Sequence, residues 1–220
     1  MIVTIDGPAG SGKSTAARGL ADKLGFFHLD TGAIYRSIAY LAKKRGISWL
    51  DEDEIEKIAS NVNINFTTNG GEKRVIVDGE DVTEDIRKSD ISIGASDIAR
   101  HKKVRMALVD VQRRFALNKS IVAEGRDMGT VIFPNADVKF YLDASLEVRA
   151  KRRQIELLSK GIKEEFECVL EDIKRRDMQD SQRDIAPLKP AEDAIIINTD
   201  NMGIKEVLEL LYFEVKKRWK

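Results

Sequence analysis

Gly7-Pro8-Ala9-Gly10-Ser11-Gly12-Lys13-Ser14-Thr15 decides how this chain is read. It follows an apolar run, Ile2 to Asp6, and leads into a segment of helical pattern from Ser14 to Leu24. Strand, glycine-rich turn, helix is the setting in which G-x-x-x-x-G-K-[ST] forms a phosphate-binding loop. Glycines let the backbone turn without Cβ clashes, so successive N–H groups can converge on phosphate oxygens. The helix N-terminus adds partial positive charge. Lys13 is placed to reach β- and γ-phosphates, and the Ser14 hydroxyl to join the shell of a Mg²⁺ ion. The stretch therefore predicts binding of a nucleoside triphosphate.

Outward from the loop the pattern alternates. Gly25 stops the first helix, Phe26-Phe27-His28-Leu29 reads as a strand ending at Asp30, and a second helix runs from about Ala33 to Arg45 before Gly46. This β–α–β–α order points to a parallel sheet covered by helices. Asp51 to Ala59 reads as a short acidic helix. The rhythm then breaks: Ile64 to Thr67 and Arg74 to Val77, joined through Asn69-Gly70-Gly71, have the spacing of a hairpin, taken as part of a small inserted lobe. Ser89-Asp90 is expected to cap a helix, and another spans Lys102 to Leu117, with Val104, Leu108, Val111 and Phe115 on one face. Strands follow at Ser120–Ala123, Val138–Leu142 and Ala194–Asn198, and helices from Ser145 to about Lys160 and from about Glu164 to Asp180. The last helix carries Ile204, Val207, Leu208, Leu211 and Val215 on one stripe, read as core packing, so a monomer is expected.

Composition narrows the partners. In 220 residues, 37 basic side chains balance 37 acidic ones, which argues against nucleic acid as the main partner. No apolar run approaches membrane-spanning length, and the chain opens directly on a strand, so neither a membrane anchor nor a signal peptide is expected. A single cysteine, Cys168, suits a reducing cytosol and is read as a helix-packing residue. With two histidines a histidine-rich metal site is excluded; His28 reads as a packed strand residue and His101 as a solvated one, while Trp49 and Trp219 read as packing residues.

In open parallel sheets ligands sit outside the carboxyl ends of the strands. Three predicted strand ends carry polar clusters: Asp6 with the phosphate loop, Asp30-Thr31, and Glu124-Gly125-Arg126-Asp127. The last can bind phosphate through Arg126 and a base or sugar donor through Asp127, or form a local ion-pair cluster. Arg149, Arg152 and Arg153 share a helix face. They can form a solvated basic surface or neutralise charge during phosphoryl transfer. Arg176, Asp180 and Arg183 can hold phosphate and ribose, or form a ladder of ion pairs.

Four blocks together resemble bacterial cytidylate (CMP) kinases: Gly7 to Thr15, Leu29-Asp30-Thr31-Gly32-Ala33-Ile34-Tyr35-Arg36, Glu124 to Pro134, and Arg176-Asp177-Met178-Gln179-Asp180-Ser181-Gln182-Arg183. The resemblance covers essentially the whole chain. It implies an α/β fold: a three-layer P-loop nucleoside-monophosphate-kinase core with a parallel five-stranded sheet, a hairpin-containing monophosphate-binding insert and a mobile lid. Core segments 1–59, 100–148 and 165–220, an insert at about 60–99 and a lid at about 149–164 would form a single domain. It further implies a cytoplasmic enzyme that moves the γ-phosphoryl group of ATP to CMP or dCMP with Mg²⁺. Thr31, Tyr35 and Arg36 would contact the acceptor, Arg36 at its phosphate. Ser96, Arg105 and Asp127 would read cytosine, Arg126 and Arg183 would hold phosphate, and Arg176 and Asp180 the ribose. Arg149, Arg152 and Arg153 would close over ATP. Glu124 departs from the pattern, since an aspartate is expected there in many relatives. Another small-molecule P-loop kinase, such as a UMP kinase, is the alternative. A GTPase-type switch is disfavoured because Asn118-Lys119-Ser120-Ile121 fails to complete Asn-Lys-x-Asp.

Overall fold

The computed structural model describes residues 1–69, 72–159 and 161–219. In chain order the elements are β1 (Ile2–Asp6), α1 (Lys13–Leu24), β2 (Phe27–Asp30), α2 (Thr31–Lys44), α3 (Glu52–Asn61), β3 (Ile64–Asn69), β4 (Glu72–Val77), β5 (Glu80–Asp81), α4 (Ser89–Ile98), α5 (Lys102–Arg113), β6 (Ile121–Gly125), β7 (Val138–Asp143), α6 (Leu146–Ser159), α7 (Phe166–Ser181), β8 (Ile195–Asn198) and α8 (Ile204–Arg218). They fall into two compact units, Met1–Leu29 with Phe115–Lys220, and Asp30–Arg114. No helix among the described residues is long and apolar enough to cross a membrane.

The first unit is organised by a five-stranded parallel sheet in the order β2-β6-β1-β7-β8. Its central strands are buried on both faces, as parallel strands covered by helices must be. On one face Val3, Ile5, Val122, Phe140 and Leu142 pack with Ala16, Ala17 and Leu20 of α1 and with Val207, Leu211 and Val215 of α8. The stripe expected on α8 thus forms, except that Ile204, in the first turn, is exposed. Register brings Asp6 level with Gly125 on one side and Tyr141 on the other. The phosphate loop and the segment after β6 therefore leave the sheet at the same carboxyl edge.

Cys168 is exposed, contrary to the packing role expected of it. On α7 it is Val169 and Ile173 that meet Ala150 and Leu157 of α6, and Cys168 lies one step off that stripe. Trp219 packs edge-on against Phe26, ring centroids 5.0 Å apart.

In the second unit the predicted hairpin is present as β3 antiparallel to β4, with Ile64 opposite Val77. Gly70 and Gly71 of its turn lie outside the described residues, as does Lys160 at the expected end of α6. β5 extends the sheet through Asp78 and Gly79, both at positive φ, the geometry of a tight hairpin turn. Ser89 and Asp90 are the first residues of α4 rather than its cap; Lys88 is the capping residue, and Asp90 pairs with Lys43 at 2.5 Å. α5 ends at Arg113, with Val104 and Leu108 buried and Val111 half-buried. Trp49 packs on Gly94, where a Cβ would come within 2.3 Å of the indole. His101 is half-buried rather than solvated, its Nε2 lying 2.7 Å from the Trp49 carbonyl oxygen.

Candidate active site

The phosphate loop spans the gap between β1 and α1, and its glycines are required by geometry. A Cβ on Gly7 would stand 2.2 Å from the Leu142 carbonyl oxygen, and one on Gly10 would stand 2.8 Å from that of Arg149. Gly12, at φ 86°, caps α1 with no side-chain acceptor, so the first N–H groups of the helix are left for a ligand. Pro8 O accepts from Lys13 Nζ at 2.9 Å, and Ala9 O accepts from Arg149 at 3.0 Å. Ser11 Oγ is buried and has no partner among the described residues, while Thr15 is exposed.

Lys13 is only 8% exposed. Burial, together with the nearby Arg126 charge, pulls its ammonium down to about 7. A group so placed gains strongly from an incoming polyanion, which restores the interaction that water no longer supplies.

Ser14 Oγ donates to Glu124 Oε2 at 2.5 Å, and Glu124 Oε1 lies 2.9 Å from His28 Nε2. Glu124 sits at the end of β6, directly across from Ile5 of β1. Among the described residues no group of three His, Cys, Asp or Glu side chains stands close enough to hold a metal by itself. Mg²⁺ does not need one, because it keeps waters and takes phosphate oxygens, adding only one or two hard protein donors. The Ser14 hydroxyl beside the Glu124 carboxylate fits that demand.

Beyond Gly125 the chain forms a wide turn. Ile132 N donates to Asp127 O at 3.1 Å and Phe133 N to Met128 O at 2.7 Å, an i→i+5 pattern often found at functional sites. Asp6 pins its start, accepting from Met128 N at 2.9 Å and Gly129 N at 2.8 Å. Burial raises the Asp6 carboxyl to about 6 against the pull of these two amides. Asp127, buried, is held at the mouth of this turn.

Asp180, 4% exposed, gathers the arginines. Arg126 Nε donates to its Oδ2 at 2.6 Å, and Arg183 pairs with its Oδ1. Burial works to raise the Asp180 carboxyl, but the charges of Arg126 and Arg183 outweigh it and hold the group below the usual carboxylate range. Arg176 lies close enough that burial and Arg126 together depress its guanidinium. The spacing of Arg176, Asp180 and Arg183 therefore reports a buried cluster that also takes in Arg126.

The three arginines of α6 do not converge. Arg149 is buried and donates to Ala144 O at 2.9 Å, to Ala9 O of the phosphate loop and to Asp177 at 2.5 Å. Arg152 donates to Thr199 O at 2.6 Å, and Arg153 pairs with Glu156 at 2.8 Å. Asp177 and Thr199 are the partners that sequence spacing leaves invisible, since their contacts span 28 and 47 residues.

In the second unit Asp30 caps α2, accepting from Ala33 N at 3.0 Å, and its other oxygen accepts from Arg36 at 2.9 Å. Thr31 is buried at the start of the helix, and Tyr35 is half-buried one turn on. Arg105, 6% exposed, lies over the Tyr35 ring, 5.7 Å from its centroid, and donates to Ala99 O at 3.2 Å. Ser96 is half-buried on α4.

A glycine loop closing on a buried lysine, a hydroxyl beside a carboxylate, and a buried nest of arginines at one sheet edge define the P-loop kinase class. Residues 3–217 match the family model described as cytidylate kinase. The chain is 47% identical over 218 residues to a cytidylate kinase of Thermosipho melanesiensis, covering 99% of this chain and 98% of that one. It is 46% identical over 209 residues to cytidylate kinase 1 of Haemophilus influenzae, covering 95% and 90%. A crystal structure of an uncharacterized Eubacterium ventriosum protein superposes with a TM-score of 0.53 at 14% identity, covering 99% of both chains, and shows the fold alone. The chain belongs to the cytidylate kinase family.

Proposed function

We propose that this protein transfers the γ-phosphoryl group of ATP to CMP or dCMP, with Mg²⁺, releasing ADP and the nucleoside diphosphate. The observation that carries this reading is the shared carboxyl edge of the sheet. It presents the phosphate loop beside Arg126 and Asp127, in a chain that matches the family along nearly its whole length. An acceptor phosphate is already an anion, so the reaction requires positioning and charge neutralisation rather than a strong base. On this reading the backbone of Gly7 to Thr15 holds the triphosphate and Lys13 neutralises it. Mg²⁺ supplies further neutralisation when bound, and Ser14 with Glu124 would hold it. Arg126 and Arg183 take the acceptor phosphate, as does Arg36; Arg176 and Asp180 take the ribose; Thr31 and Tyr35 contact the nucleotide. Arg149 braces the phosphate loop, and Arg152 and Arg153 belong to a lid at about 149–164. We read residues 60–99 as the monophosphate-binding insert, and the protein as a cytoplasmic monomer.

Ser96, Arg105 and Asp127 would read cytosine. A carboxylate accepts from the exocyclic amine, and a guanidinium donates to the ring nitrogen and carbonyl. Uracil reverses donor and acceptor at two of these positions and leaves a buried group unpaired, a penalty of up to roughly 10⁴ in selectivity. Asp127→Ala and Arg105→Ala are therefore each expected to lower kcat/KM for CMP by about 10²–10³ with the KM for ATP little changed. Steady-state kinetics with each substrate varied in turn checks this. Equal losses for both substrates would remove these residues from the acceptor site.

A further inference from the structure

His28 is a buried histidine that stands outside the phosphate loop. It lies on β2, next to β6 in the sheet, and it is 8% exposed, while its partner Glu124 is 2% exposed. The Glu124 carboxylate is held at both ends: Oε1 faces His28 Nε2 at 2.9 Å, and Oε2 accepts from Ser14 Oγ at 2.5 Å. A carboxylate accepts at both oxygens, so the imidazole tautomer that fits carries its proton on Nε2. A glutamate has one more rotatable bond than the aspartate expected at this position, and burial alone does not choose its rotamer. His28 chooses it. With the carboxylate fixed, the Ser14 proton is committed to Glu124 and the hydroxyl lone pairs remain available to a cation.

We propose that His28 is a positioning residue for the cation that accompanies the nucleotide. Through Glu124 it fixes the orientation of the Ser14 hydroxyl, as outer partners of metal ligands do elsewhere. The inference rests on the proposed Mg²⁺–nucleotide reading of this site. A histidine that only fills space at β2 predicts something different: a change in stability with no change in cation affinity.

The test uses the full chain with His28→Leu, which keeps bulk and loses the donor, and His28→Gln, whose amide N–H can reach Glu124. His28→Asn, polar but too short to reach, serves should the leucine variant fail to fold. Mn²⁺ affinity of the ADP complex is read by electron paramagnetic resonance, ADP affinity in EDTA by calorimetry, and stability by thermal unfolding. His28→Leu and His28→Asn are expected to weaken Mn²⁺ binding by about tenfold, with His28→Gln restoring most of it. ADP affinity in EDTA should stay at the wild-type level in all of them. Wild-type Mn²⁺ affinity in His28→Leu or His28→Asn, or a glutamine variant no better than leucine, overturns the inference whatever happens to stability. CMP turnover by the wild-type chain is measured in parallel. Its absence, with Mn²⁺ affinity still dependent on His28, overturns the kinase reading and leaves the positioning role standing.

Discussion

Replacing Lys13 by methionine is expected to lower kcat by at least roughly 10³ while leaving the fold intact, since charge neutralisation carries most of the barrier reduction in phosphoryl transfer. The side chain is buried against the phosphate loop and donates to the Pro8 carbonyl at 2.9 Å. Burial and the Arg126 charge oppose its ammonium, so the folded protein gains nothing in stability from the charge at this position. Methionine keeps the apolar stem and relieves that opposition. Its thermal midpoint should therefore equal or exceed that of the wild type near pH 7. A coupled ADP-release assay and a melting curve check the two halves. Activity within tenfold of wild type, or a collapse of stability, would contradict the role given to this lysine.

The second large effect is expected at Asp180. Asp180→Ala leaves Arg126 and Arg183 without the carboxylate they share and leaves the repulsion between Arg126 and Arg176 uncompensated. Removing one partner from a buried charge cluster costs about 3–5 kcal/mol. For a chain of this size that is a fall in thermal midpoint on the order of 10 °C. The sign of the pH dependence follows from the same cluster. The folded-state pKa of Asp180 is depressed, so its stabilisation is present above the ordinary aspartate range and is lost as pH falls from there through the lower folded-state pKa. The difference between wild type and variant should then shrink in acid. Inorganic phosphate, which offers the arginines a replacement anion, should recover part of the lost stability in the variant. Melting curves across pH, with and without phosphate, measure all three. A variant as stable as wild type at neutral pH would mean that the arginines do not depend on Asp180.

What the sequence made legible follows the range of the interactions involved. Gly7, Gly10 and Gly12 announce the loop because close backbone approach and positive φ exclude other residues there. The sheet was legible because parallel strands are short apolar runs, and the hairpin because Ile64 to Thr67 alternates and Asn69-Gly70-Gly71 reads as a turn before Arg74 to Val77. β5 was not, since Glu80-Asp81 is too short to show any period. Cys168 was misplaced because a one-residue step on α7 separates the face toward α6 from solvent, and a stripe that faint is easily misregistered. At the site, residue types were readable but partners were not. Arg149, Arg152 and Arg153 share a helix face in sequence, yet Ala9, Thr199 and Glu156 draw them to different places. His28 looked like packing because the bond to Glu124 joins strands 96 residues apart. The wide turn after Asp127 is equally hidden, since it depends on Asp6, which reaches Met128 from 122 positions earlier.

The central claim is that this chain phosphorylates cytidine monophosphates. The most direct test offers CMP, dCMP, UMP, AMP and GMP separately to the purified protein with ATP and Mg²⁺ and follows ADP release. Rapid turnover with CMP and dCMP, and little with the other three, is the predicted result. Turnover led by another monophosphate would keep the phosphate loop and overturn the roles given to Arg105 and Asp127, and no turnover with any of them would contradict the assignment itself.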